Sequence, residues 1–312
     1  VTPEQYAIYQ AAITAAAAQY AAQFATFFAQ PAISAAEWVR LLRLVFPQVE
    51  VFRDRSAKLA REFYDSQRAE FHPELPRHDR YTEPYQFAWF ATNMEPVRKK
   101  MSQQMSPESA VAQFSLQLVR EVENAGRRQI IRAVESDDAV VEKLSRQQDP
   151  QRWVMPGESR PVLGWARVAT GLETCGWCLM LVSRGPKLRY KSAKSGGSKV
   201  DDETTLAALV ADKDVTQFMK EWHVGCDCKV VPVFDEANWP GKAAQERALQ
   251  LWIDASFAAD EWVEDHPNRY HKKGKNKGKK ITQNEETVLA LRRRLESGDI
   301  SSQEWAALTP AA

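Results

Sequence analysis

All four cysteines of the chain fall in two short clusters, "TCGWCLMLVSRG" at 174–185 and "EWHVGCDCKVVPVF" at 221–234, the second carrying a histidine as well. Cys175 and Cys178 have two residues between them, a spacing at which one turn or helix end aims both sulfurs at a single ion. His223 and Cys226 repeat the spacing, and Cys228 follows. Thiolates and a neutral imidazole suit tetrahedral zinc, so five candidates compete for four places. The preferred set is Cys175, Cys178, His223 and either Cys226 or Cys228, the fifth side chain being left beside the site or unused.

Between Cys178 and His223 lie 44 residues, too many for a compact finger. Closing a loop of that length costs roughly 4 kcal/mol of chain entropy, whereas structural zinc in small peptides contributes an apparent ~10–16 kcal/mol. A structural zinc would therefore pin two distant segments of one domain together. Two other readings stay open: disulfides between the halves, and plain buried thiols. A catalytic zinc needs an open coordination position and a carboxylate base, for which Asp227 and Glu221 are the nearest acids in sequence. Thiolate-rich sites usually serve structure, and the H-x-E partner of a nucleoside-deaminase site is absent upstream.

The remaining sequence must position these clusters. With 312 residues, 44% of them hydrophobic and 27% charged, the chain can bury a substantial core without help from cysteine. Its formal net charge of +1 provides no global attraction to nucleic acid or acidic membrane. Four cysteines are too few for a disulfide-built secreted scaffold, and the opening "VTPEQYAIYQ" lacks a basic, then apolar, leader. Synthesis in the cytoplasm is expected, and the missing initiator Met points to trimming or to residues upstream. The uncharged stretch from Gln5 to Ala35 is long enough to span a bilayer, but its glutamines and alanines argue against insertion.

The sequence predicts a mainly α protein with a small α+β core. Thr2-Pro3-Glu4-Gln5 reads as a capping box opening an alanine-rich packing helix to about Gln30. Ser34 to Glu37 repeats the box, with Trp38, Leu41, Leu42, Val45 and Phe46 at helical spacing until Pro47. A third helix is expected from about Val49 to Glu70 and a short one before Pro96. Ser106-Pro107-Glu108 opens another, whose apolar face is Val111, Phe114, Leu118, Val122 and Ala125. Irregular sequence from Asp149 to Pro161 marks a boundary, "KSAKSGGSKVDDE" an exposed loop, and "VVPVF" at 230–234 a strand. A helix from Pro240 to about Asp265 should bury Leu249, Trp252, Ile253 and Phe257, and "ITQNEETVLALRRRLESGD" closes the chain as an amphipathic helix. The organisation is thus a helical region 1–148, a Cys/His core 149–240, and a C-terminal region 241–312 with two helices and a Lys-rich linker.

"RVATGLETCGWCLMLVSRGPKLRY" and "WHVGCDCKVVPVF" together resemble the core of MuF-like minor head proteins of tailed actinobacterial phages. The likeness rests on Thr170-Gly171, Cys175-x-x-Cys178, the turn Leu181 to Pro186, and His223-x-x-Cys226-x-Cys228 followed by Pro232-Val233-Phe234. It covers about 85 residues. It implies a structural protein of the virion, bound at the portal or inside the capsid, with portal and capsid proteins as partners and a part in head morphogenesis and DNA packaging or ejection. It implies no reaction, and no fused G-x-S-x-G motif is present. The competing function is a zinc-dependent hydrolase or a nucleic-acid-modifying enzyme or toxin domain using His223 and a neighbouring acid. Arg184 could meet a phosphate or carboxylate, but after a helix end capped by Gly185 a structural role is the better expectation.

One local feature could touch packaged DNA. "HKKGKNKGKK" at 271–280 holds Lys272, Lys273, Lys275, Lys277, Lys279 and Lys280 with no acid. Such a run neutralises phosphates without reading sequence; the plainer alternative is a solvated linker.

Overall fold

Hydroxyl caps start the three long helices of the N-terminal half. Thr2 accepts from the Gln5 amide and opens α1, Pro3–Ala22; Ser34 accepts from Glu37 and opens α2, Ala35–Phe71; Ser106 accepts from Ser109 and opens α4, Pro107–Ser136. The shorter α3, Phe87–Met101, lies between the last two. The computed structural model describes residues 1–25, 33–79, 84–101, 106–141, 160–172, 175–188, 219–220, 222–267, 269–270, 272, 277–278 and 280–308. The expected boundary at 149–161 and the Lys/Ser/Gly loop lie almost wholly outside these residues.

Two helix boundaries differ from the sequence expectation. Pro47 does not end a helix: α2 runs 37 residues straight through it, and α3 likewise contains Pro96. An interior proline removes one hydrogen bond and crowds the preceding turn, at about 3 kcal/mol. Both prolines are exposed, so water can satisfy the carbonyl that loses its donor. On the opposite face Leu41, Leu42, Val45, Val49 and Phe52 enter one buried cluster across the proline. Burying such side chains contributes about 1.5–3 kcal/mol each, which outweighs the local defect. At α1 the described helix stops at Ala22, short of the expected Gln30.

The helices α1, α2 and α3 all pack on α4. Tyr6 stacks on Phe63 with ring centroids 4.6 Å apart, and Ala17 and Ala21 are fully buried, so α1 is an internal packing helix. Phe114, Leu118 and Val122 fill the interior on the α4 side, as their spacing predicts.

The other end of α4 meets the small sheet. Its strands are β1, Gly164–Val168; β2, Lys187–Leu188; and β3, Lys229–Val233, in the order β2-β1-β3 and all antiparallel. Trp165 faces Pro232 in register, and every residue of β1 and β3 is buried. Between β1 and β2 runs α5, Gly176–Ser183, which packs on α6, Lys242–Asp265, and on α7, Gln283–Ser297. A 3-10 turn, Ser302–Trp305, lies on α6, and the Ala307 amide then donates to the Ala169 carbonyl at 2.9 Å. The protein is therefore mainly α with a small α+β core.

The buried face of α6 is the expected one only in part: Trp252 is buried, Leu249 and Ile253 are half-buried and Phe257 is not on it. Ala248, Leu251, Trp252, Ala255 and Ala259 point inward, while Phe257 is 60% exposed. Small residues face the partner helices because α5 and α7 come close there, a demand that the positions of bulky side chains do not reveal. The larger apolar cluster joins Tyr6, Phe63 and Val134 to Trp165, Cys178 and Cys228 and to Trp252, Leu291 and Trp305, so it draws on all three sequence regions. Among the described residues no helix is long and apolar enough to cross a membrane.

Gly126 marks the tightest helix crossing. A Cβ added there would lie 2.8 Å from Ser56 Oγ, 3.2 Å from the Ser56 carbonyl oxygen and 3.3 Å from the Tyr6 hydroxyl. Alanine normally favours a helix over glycine by about 1 kcal/mol, and overpacking costs about 1–3 kcal/mol. Gly126→Ala should therefore destabilise the protein, by up to about 2 kcal/mol net, in urea denaturation followed by circular dichroism.

Candidate metal centre

Both sequence clusters reach the same point in the core through short turns. The upstream pair is presented by the start of α5, where Cys175 occupies the cap position, its carbonyl accepts from Leu179, and Cys178 sits in the first turn. The downstream pair is presented by a turn in which the Cys226 amide donates to the His223 carbonyl at 3.2 Å and Gly225 takes φ +78°. That left-handed backbone suits glycine, which has no Cβ to clash. The chain then runs through Cys228 into β3.

All five predicted side chains converge. His223 Nε2 lies 3.2 Å from Cys175 Sγ and 3.1 Å from Cys178 Sγ, and Cys178 Sγ lies 3.5 Å from Cys226 Sγ. The ligand atoms form two triads, Cys175–Cys178–His223 and Cys178–Cys226–Cys228, each within 4.8 Å and sharing Cys178. Cys175 and His223 are partly exposed, whereas Cys178, Cys226 and Cys228 are buried. The four cysteines are free thiols, so the disulfide alternative is not the state described.

The donor set fits zinc. His223 Nδ1 lies 2.9 Å from the Val224 carbonyl; an N–H there fixes the tautomer and leaves Nε2 as the lone-pair nitrogen facing the sulfurs. Without an ion these groups perturb one another strongly. Hydrogen bonding from Cys178, then from His223, holds the Cys175 thiol down at about 4, and hydrogen bonding to Cys175 raises His223 to about 9. Hydrogen bonds from Cys178 and Cys228, with the charges of Arg127 and Arg167, lower Cys226. Cys228 is raised: the bond with Cys178 lowers it, but the interaction with Cys226 and burial prevail.

Sequence reasoning missed the charged groups packed around the sulfurs. Arg127 on α4 is buried, donating from Nε to the Cys228 carbonyl at 2.9 Å and from Nη2 to the Cys226 carbonyl at 2.6 Å. The same Nη2 donates to Glu123 Oε2 at 2.8 Å, while Lys229 Nζ donates to Glu123 Oε1 at 2.6 Å. Arg167, on β1, lies with Nη2 3.6 Å from Cys226 Sγ. Both guanidiniums lie over the Trp222 ring, at 5.3 and 4.9 Å from its centroid. A signal was present: Glu123 and Arg127 stand one helical turn apart, the spacing at which an acid and a base pair on a helix.

The remaining candidates are placed elsewhere. Asp227 accepts from the Thr170 hydroxyl at 2.8 Å and the Leu172 amide at 3.1 Å, tying two loops together, and Glu221 lies outside the described residues. Arg184 packs over Trp252 at 4.9 Å, with Gly185 at φ +66° behind it, in keeping with a structural role. Lys272, Lys277 and Lys280 are exposed; Lys273, Lys275 and Lys279 lie outside the described residues. The ends of the lysine segment are fastened, because Tyr270 bridges Lys280 and the Ile281 amide donates to the Arg269 carbonyl at 3.1 Å.

Fold and site together define a class: a helical protein whose small α+β core is gripped by a buried Cys/His cluster. The chain belongs to the VG15 protein family, which matches residues 1–252. It is 49% identical over 302 residues to the Gene 15 protein of Mycobacterium phage D29, covering 94% of this chain and 98% of that protein. It is 47% identical over 320 residues to the Gene 15 protein of Mycobacterium phage L5, covering 98% and 99% respectively. It is thus a member of a phage protein family. No solved structure matches it.

Arg127 is the group whose loss should be felt most. Arg127→Met leaves the Cys226 and Cys228 carbonyls and half of Glu123 without their donor, and should cost about 3–5 kcal/mol. Arg127→Lys should recover less than half, since one ammonium cannot span both carbonyls and the carboxylate. Equilibrium denaturation of the reduced proteins measures both.

Proposed function

We propose that this protein is a minor structural component of a phage head, seated at the portal or on the capsid interior, with one structural zinc in its core. Its role is mechanical: the helical N-terminal body docks on portal or capsid proteins during head morphogenesis, and the zinc keeps the attached core rigid. When bound, zinc supplies a cross-link between the 175–178 and 223–228 segments. Cys175, Cys178 and His223 hold it, with a further sulfur from Cys226 or Cys228.

The observation that carries the reading is the convergence of five zinc-type donors, from two segments distant in sequence, inside a core shared with the helical body. Those donors stand at the positions on which the likeness to MuF-like minor head proteins rests, and membership of a phage family agrees with it. The lysines of 272–280, of which Lys272, Lys277 and Lys280 are exposed, would lie against packaged DNA and contribute to its packaging or ejection.

Three measurements test this. Mass spectrometry of purified particles should find the protein as a low-copy virion component; its absence would remove the head assignment. Metal analysis should give one zinc per chain, and chelation should lower the melting temperature by 10 °C or more; an ion carrying bound water in an open cleft would instead favour a hydrolase. Replacing Lys272, Lys273, Lys275, Lys277, Lys279 and Lys280 with serine should weaken duplex DNA binding at least tenfold at low salt and flatten its salt dependence. Unchanged binding would remove the loop from the account.

A further inference from the structure

Resting on the zinc reading, we infer that Cys226, not Cys228, completes the ligand set with Cys175, Cys178 and His223, and that Arg167 is the positioning residue that makes Cys226 the ligand. Sequence spacing cannot decide this, since residues two apart in extended chain share a face and both sulfurs reach Cys178. Three features of the site do decide it.

The first is the repetition of one local unit. Residues 175–178 and 223–226 share one spacing, each placing two ligands three positions apart, the first at the start of α5 and the second in a turn closed by the hydrogen bond from the Cys226 amide to the His223 carbonyl. Cys228 lies beyond that unit, where the chain has straightened toward β3. The second is distance. With Zn–S bonds near 2.3 Å, tetrahedral geometry sets sulfurs about 3.8 Å apart. Cys178 and Cys226 already stand at 3.5 Å, close to the spacing of two sulfurs on one ion.

The third is charge. A thiolate taken out of water needs a cation or a hydrogen-bond donor beside it. Arg167 offers a guanidinium N–H to the Cys226 sulfur itself and is held against the Trp222 face on the strand beside β3. Arg127 holds Cys226 and Cys228 by their carbonyls and so fixes the backbone of both without choosing between the sulfurs. Cys228 remains a fully buried thiol packed in the core.

Cadmium-113 exchanged into the wild-type protein reads the ligands directly. Scalar coupling to the β-protons of Cys175, Cys178 and Cys226, with none to Cys228, is expected; coupling to Cys228 in place of Cys226 would overturn the assignment. In zinc titrations against a chromogenic chelator, Cys228→Ala should stay within about threefold of wild type, whereas Cys226→Ser should lose at least a hundredfold. Arg167→Met should weaken zinc by about 10–100-fold, the range usual for partners of metal ligands, and Arg167→Lys should restore most of it. An Arg167→Met protein that unfolds more easily but binds zinc with wild-type affinity would reduce Arg167 to packing. A wild-type protein that takes up neither zinc nor cadmium would fail the zinc reading itself, an outcome distinct from zinc bound through Cys228.

Discussion

The structure turns on one buried guanidinium. Arg127 leaves α4, enters the core and fastens the carbonyls of Cys226 and Cys228, while sharing Glu123 with Lys229 at the start of β3. Two cations around one carboxylate in a dry interior would be costly if they stood alone. They do not stand alone: the Cys226 thiol beside them is lowered, by hydrogen bonds from Cys178 and Cys228 and then by the charges of Arg127 and Arg167. The polar network and the cysteine cluster are therefore one electrostatic unit.

That unit also explains how the helical body and the small core hold together. Among the described residues the sheet has three strands, one of them two residues long, and is too small to be stable without packing. Instead β1 and β3 rest on α4, and the larger cluster continues from Tyr6 and Phe63 through the sheet to Trp252 and Trp305. Apolar contact supplies the adhesion. Arg127 supplies the register, since its donors match two particular carbonyls on one short segment. For a protein proposed to dock through its helical body, a core keyed to that body in this way is mechanically apt.

The basic segment contrasts with the cysteine cluster. Lys272, Lys277 and Lys280 face water, and the bridge between Tyr270 and Lys280 lies beside Arg269, which lies 4.3 Å over Trp262 and pairs with Glu286. Fastening the ends confines the charge to one place on the surface, which a free linker would not do. In the proposed contact with DNA, charge presented that way would act through phosphate neutralisation and not through reading of bases.

The sequence by itself determined the capped helix starts, the mainly α class and the identity of the five converging Cys and His side chains, because capping hydroxyls, helical periodicity and paired spacing are local signals. Thr2, Ser34 and Ser106 each announce a helix within four residues, and Cys175-x-x-Cys178 and His223-x-x-Cys226 each announce a turn. Only the tertiary structure decided the rest. Pro47 and Pro96 are carried inside helices because the opposite faces are buried, Phe257 faces water because neighbouring helices require alanine at the contact, and Arg127 and Arg167 become part of the site because folding brings α4 and β1 against a turn far along the chain. Packing and charge compensation act between residues distant in sequence, and no window along the chain contains both partners.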